Sequence, residues 1–110
     1  MVENREDKEL FYPSGVIMYR GEVKKNDFGH DVYHGKGMLF DQEGELLYEG
    51  EFADHTKHGS GIMYLKGQRI YQGEFVKNKK QGAGILYKKD GNVHYEGRFH
   101  NDQMEGYWND

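Results

Sequence analysis

The chain has 110 residues and a formal net charge of −4; only 35% of it is hydrophobic, yet it carries 16 glycines, nine tyrosines, six phenylalanines and one tryptophan. That is one domain's length, thin in aliphatic side chains but too rich in aromatic rings for simple disorder. It holds no apolar run of about 18 residues that would cross a membrane as a helix, and no cysteine, which excludes disulfides, thiolate nucleophiles and cysteine–zinc sites.

The segment Met1–Lys8 is charged rather than apolar, so no signal peptide is expected from it. The absence of cysteine fits a reducing compartment, and a cytoplasmic protein is expected. Residues 1–9 are expected to form a polar, frayed tail ahead of a repeat domain at 10–110.

The repeat is carried by glycine and tyrosine. Tyr-x-Gly occurs at Tyr19–Gly21, Tyr48–Gly50, Tyr71–Gly73 and Tyr95–Gly97, and Gly-x-Gly at Gly35/Gly37, Gly59/Gly61 and Gly82/Gly84. In three units nine residues separate the Tyr-x-Gly glycine from the next repeat glycine, the last step running from Gly97 to Gly106. The first unit takes fourteen and so carries a five-residue insertion within Lys24–His34, expected as a long loop. Phe52, Phe75 and Phe99 follow the Tyr-x-Gly pairs at one fixed offset, where the first unit has Val23. Leu10-Phe11 precedes Gly15 as Phe40 precedes Gly44, so the series opens on half a unit. The units are therefore about 10–18 (partial), 19–47, 48–70, 71–94 and 95–110 (partial).

Each half-unit alternates with period two, the mark of a half-buried strand. In Tyr48–Phe52, Tyr48, Gly50 and Phe52 face one way while Glu49 and Glu51 face the other. In the partner strand Gly61 and Met63 share one face, and Ser60, Ile62 and Tyr64 the opposite one. The halves are joined by about six residues, such as Ala53–His58 and Val76–Gln81, which suits hairpins rather than helical crossovers. The return links each hold one glycine, Gly44 or Gly91, at a turn position expected to need positive φ. A glycine in a strand marks a place where something large approaches the backbone. Aromatic rings of neighbouring strands are therefore expected to lie across Gly61 and Gly84.

This pattern resembles the MORN repeat family (membrane occupation and recognition nexus) over about residues 10–108. The insertion, Val23 and Trp108 in place of a second glycine depart from it. The resemblance implies an all-β fold, an elongated single-layer twisted antiparallel sheet of stacked β-hairpins. It also implies a scaffold that docks a helical or extended peptide along the sheet groove, with links to cilia, cytoskeleton or membrane assemblies. Some relatives join such repeats to catalytic domains, which are not expected beside the repeats within these 110 residues.

Little in the sequence offers chemistry. The six histidines show neither His-x3-His nor HExxH spacing, and repeat-equivalent positions such as His34 and His58 stand about 10 Å apart, two strands away. No metal and no cofactor are expected. Glu22, Glu51 and Glu74 occupy one repeated position, as on a solvated face and unlike a catalytic pair, so no enzyme is expected. From Lys66 to Lys89 seven basic residues face one acid, Glu74. Lys77, Lys79, Lys80, Lys88 and Lys89 are thus candidates for anionic lipid, although Lys77–Lys80 and Lys88–Lys89 are expected at opposite hairpin ends. With net charge negative, nucleic acid is not an expected partner. Met38, Phe40, Ile62, Tyr64, Ile85 and Tyr87 would line up on the face opposite the tyrosines, uncovered by any second layer, and are the candidates for binding a protein partner. A last strand at Gly106–Trp108 would leave an edge open to edge-to-edge dimerisation.

Overall fold

The computed structural model describes residues 5–105. They form nine strands: β1 (Arg5–Phe11), β2 (Ile17–Lys25), β3 (Asp31–Phe40), β4 (Leu46–Ala53), β5 (Thr56–Leu65), β6 (Gln68–Val76), β7 (Lys79–Tyr87), β8 (Val93–His100) and β9 (Gln103–Met104). All belong to one antiparallel sheet in sequence order, and the molecule measures 50 × 35 × 17 Å. The expected hairpin array is therefore the fold, each strand paired only with its neighbours in sequence.

Register places the repeat glycines opposite one another: Gly21 on Gly37, Gly50 on Gly61, Gly73 on Gly84 and Gly84 on Gly97. After each of the first three pairs the ladder slips, so that Phe52 meets Lys57 and Phe75 meets Lys80. These are β-bulges, and they bend and twist the sheet once per unit.

Tyr19, Tyr48 and Tyr71 are fully buried, with Val23, Phe52, Phe75 and Phe99 beside them on one face. Leu39, Met63 and Leu86 pack against this layer. The rings interlock edge to face: Tyr48 lies 5.0 Å from Phe52 and 5.5 Å from Phe75, and Tyr71 lies 5.1 Å from Phe75 and 5.2 Å from Phe99. Each such pair adds about 0.5–1.5 kcal/mol beyond the area it buries. A sheet without a second layer thus makes its core from a herringbone of its own rings, which is why so few aliphatic residues suffice.

Three expectations are corrected. The start of the chain is not a frayed tail from Arg5 onward: β1 pairs with β2 from Arg5↔Lys24 to Phe11↔Ile17. Its charges lie on a sheet edge, where they discourage pairing with another chain, and Lys8 reaches Asp31 at 3.1 Å. The insertion is not a loose loop either. It lengthens the first hairpin, pairing Lys24 with Val32 and Lys25 with Asp31 around a short turn at 26–30. Finally, the β4–β5 and β6–β7 links are two-residue turns, Asp54-His55 and Lys77-Asn78, all at positive φ, the conformation that continues strand twist through a tight hairpin. The expected edge at Gly106–Trp108 lies outside the described residues.

Candidate binding groove

Alternation puts every second side chain on the face away from the rings. One row on that face runs across the sheet through register pairs Arg20↔Met38, Met38↔Glu49, Glu49↔Ile62, Ile62↔Gln72, Gln72↔Ile85 and Ile85↔Glu96. Apolar residues stand on β3, β5 and β7, and polar ones on the strands between. Beside this row the paired glycines, which face the rings, present only backbone and form a floor. The result is a groove of about 740 Å³ lined by Met38, Glu49, Ile62, Gln72, Glu51 and Glu74 among others. Ile85 and Glu96 line its continuation over β7 and β8.

On the opposite face the same glycines make room for the rings. A Cβ at Gly61 would overlap the Tyr48 ring, and one at Gly84 the Tyr71 ring; the expected ring-over-glycine packing is present. Each tyrosine then donates its hydroxyl to a carbonyl three residues on: Tyr19 to Glu22 at 2.6 Å, Tyr48 to Glu51 at 2.8 Å, Tyr71 to Glu74 at 2.9 Å and Tyr95 to Arg98 at 2.9 Å. Glu22, Glu51 and Glu74 are the residues left without a register partner across the bulge. The phenol thus serves a backbone group that the bulge removes from the ladder. Burial pushes the Tyr71 phenol up to about 12, and those of Tyr19 and Tyr48 in the same direction, since the charged form is penalised away from water.

The six candidate residues fall on this one face and are half-buried. Met38 and Ile62 line the groove, and Ile85 its continuation. Phe40, Tyr64 and Tyr87 flank it and are held in place by polar neighbours. The Tyr64 hydroxyl donates to Glu49, Arg69 lies 4.7 Å above the Tyr87 ring, and Arg20 lies 5.9 Å from that of Phe40.

The candidate lysines are not brought together. Lys77 and Lys79 are exposed at the β6–β7 tip, and Lys88 and Lys89 are exposed at the opposite end of β7, about 30 Å away at the usual rise per residue. Lys80 is turned inward, its Nζ 5.4 Å from the Tyr71 ring centre and 3.8 Å from Asp102.

Lys80 belongs to a repeat position that sequence spacing had not revealed. Tyr33, Lys57, Lys80 and Met104 sit opposite Val23, Phe52, Phe75 and Phe99. Tyr33 stacks on Tyr19 at 4.0 Å and 6°, and Lys57 lies 5.6 Å from the Tyr48 ring centre. Burial against these rings lowers the Lys57 ammonium from its ordinary value. The signal was available as a 23–24-residue recurrence, but a tyrosine, two lysines and a methionine do not look alike. The next tip stitches each such residue down. The Lys57 N–H donates to Asn78 Oδ1 at 2.8 Å, the Lys80 N–H to Asp102 Oδ1 at 2.8 Å, and the Tyr33 N–H to His55 Nδ1 at 3.2 Å.

Among the described residues no group of three or more His, Cys, Asp or Glu is placed to hold a metal ion, and no helix is long and apolar enough to cross a membrane. No curated protein matches the chain. A family model, that of the MORN repeat, matches residues 48–67, 71–93 and 95–107, the segments whose tyrosines, paired glycines and bulges have just been described. Such repeats are generally non-catalytic scaffolds for protein or membrane interaction, and this chain, with the match covering half its length and the hairpin sheet to accompany it, belongs to the MORN repeat family.

Proposed function

We propose that this protein is a non-catalytic scaffold that docks a peptide or helix of a partner protein in the glycine-floored groove. The observation that carries this reading is the placement of Met38, Ile62 and Ile85 in one row across an open groove. Half-buried apolar side chains in a concave, preformed site favour a ligand that removes them from water. The rings behind the groove are locked, so binding meets a rigid surface and costs little ordering on this side.

Anionic lipid is the competing reading, and the separation of Lys77 and Lys79 from Lys88 and Lys89 weakens it. Two assays divide the readings: selection from a displayed peptide library, and sedimentation with phosphatidylserine vesicles at physiological salt. Peptides that are retained by the parent protein and lost by Ile62→Asp support the groove. Vesicle binding that depends on Lys77 and Lys79, with no groove-dependent peptide, overturns it.

A further inference from the structure

We infer, resting on the groove reading above, that the occupant is an amphipathic α-helix lying across the strands, with apolar residues every seven positions and basic residues midway between them. The argument is one of spacing, alternation and charge.

Met38, Ile62 and Ile85 lie on β3, β5 and β7, two strands apart, or about 9.6 Å at the usual strand separation. Seven residues of α-helix rise about 10.5 Å, and a tilt of roughly 25° across the row brings the two into step. A β-extended ligand fails, because residues three apart, the nearest match in length, point to opposite sides. A polyproline helix has the right repeat, about 9.3 Å per three residues.

The residues between the apolar ones decide between the two helices. Glu49 stands midway between Met38 and Ile62, Gln72 midway between Ile62 and Ile85, and Glu96 beyond Ile85, all in the same row. A ligand matching this row must alternate apolar and polar groups along one face at half the 10 Å repeat. An α-helix does so, since residues at i, i+3 or i+4, and i+7 share a face. A polyproline helix does not, because its only same-face residues are the apolar ones.

Charge fixes the polar groups. Glu49, Glu51, Glu74 and Glu96 have no base within ion-pair distance among the described residues. Of the bases on this face, Arg20 is paired with Glu9 at 3.0 Å and Arg69 is engaged with Tyr87, while Lys36 and Arg98 stand outside the row, in register with Glu51 and Ala83. A ligand with lysine or arginine midway between its apolar residues would neutralise Glu49, which accepts only the Tyr64 hydroxyl, and Glu96, carboxylates that the fold leaves without a paired base.

The test uses three synthetic peptides and fluorescence anisotropy at low and physiological salt. One is a 21-residue helix former with leucine every seventh residue and lysine midway. The second has glutamate in place of the lysines, and the third is a polyproline peptide with leucine every third residue. The lysine peptide is expected to bind at least about ten times more tightly than the other two. The double variant Glu49→Lys, Glu96→Lys is expected to reverse the preference between the first two, a result that misfolding cannot mimic. Equal binding of the lysine and glutamate peptides, or an unreversed preference in the variant, overturns the inference. Tighter binding of the polyproline peptide, lost in Ile62→Asp, also overturns it while leaving the groove reading intact. Failure of all three peptides to bind, with groove-dependent peptides still selected from a library, counts against the helix alone.

Discussion

The Tyr48 hydroxyl donates a 2.8 Å hydrogen bond to the carbonyl oxygen of Glu51, three residues further along its own strand. The bond explains why the repeat needs tyrosine rather than phenylalanine. The ring covers Gly61 on the next strand, and the hydroxyl satisfies a residue that the bulge leaves without a partner on β5. Tyr48→Phe keeps the ring and deletes the donor. It is expected to cost about 1–2 kcal/mol, the usual loss when a buried acceptor goes unmet, as measured by urea denaturation. Stability equal to the parent would show that the carbonyl finds another donor.

The same phenols set an alkaline limit. Tyr71 is neutral in the fold up to about 12, whereas an unfolded tyrosine ionises near pH 10. Above pH 10 the unfolded state alone releases the proton, so stability falls with rising pH until the folded phenol ionises too. Thermal melts between pH 9 and 12 are expected to drop steeply, and less steeply in Tyr71→Phe. Parallel slopes would contradict the buried, hydrogen-bonded phenol.

Glycine is needed in this sheet for two different reasons, and substitution separates them. Gly61→Val and Gly84→Val force a side chain into a tyrosine ring and are expected to cost about 3 kcal/mol or more. Gly67 has φ +82 with nothing within 4 Å of an added Cβ, so Gly67→Ala is expected to cost only the left-handed backbone penalty of about 1–2 kcal/mol. Denaturation curves giving equal losses at Gly61 and Gly67 would remove the ring-over-glycine packing as a cause.

The face assignment and the hidden repeat position offer a gain rather than a loss. Lys57 holds an ammonium against the Tyr48 ring, and burial there disfavours its charged form. Met104 fills the equivalent place in the last unit. Lys57→Met is expected to raise stability by about 0.5–1 kcal/mol, typical of a corrected surface position. A loss would mean that the attraction between cation and ring outweighs its desolvation.

Asp31 anchors the lengthened first hairpin, with Lys25 at 2.8 Å and Lys8 at 3.1 Å. Hydrogen bonds from Lys25 first and then Lys8 hold its carboxyl below the usual range. Its contribution is therefore present above the ordinary carboxylate pKa and fades as pH falls through the lowered value. Asp31→Asn is expected to lower the melting temperature slightly at pH 7 and not at all near pH 2; a gap that persists in acid would place its cause elsewhere.

Much of this was readable because the controlling residues are chemically unlike their neighbours. Period-two alternation around Tyr48 and Phe52, and the glycine grid, gave the hairpins, the buried face and the row of Met38, Ile62 and Ile85. What escaped was set by pairing rather than by residue type. The charged strand Arg5–Phe11 has no apolar alternation of its own and is held by β2 and by Lys8 on Asp31. The bulges shift Lys57 and Lys80 onto the ring layer, where a lysine is not looked for, and Lys80 consequently leaves the set of free cations that the charge run implied. The alternation of Glu49, Gln72 and Glu96 with the apolar residues likewise emerges only when their separate strands are placed in register.

Backbone amide shift mapping with a library-selected peptide tests the central claim most directly. The groove account predicts perturbations concentrated at the middle of β3 to β7, around Met38, Glu49, Ile62, Gln72 and Ile85, and absent from the β6–β7 tip. Perturbations centred on Lys77 and Lys79, or on the edge strand β1, would contradict it.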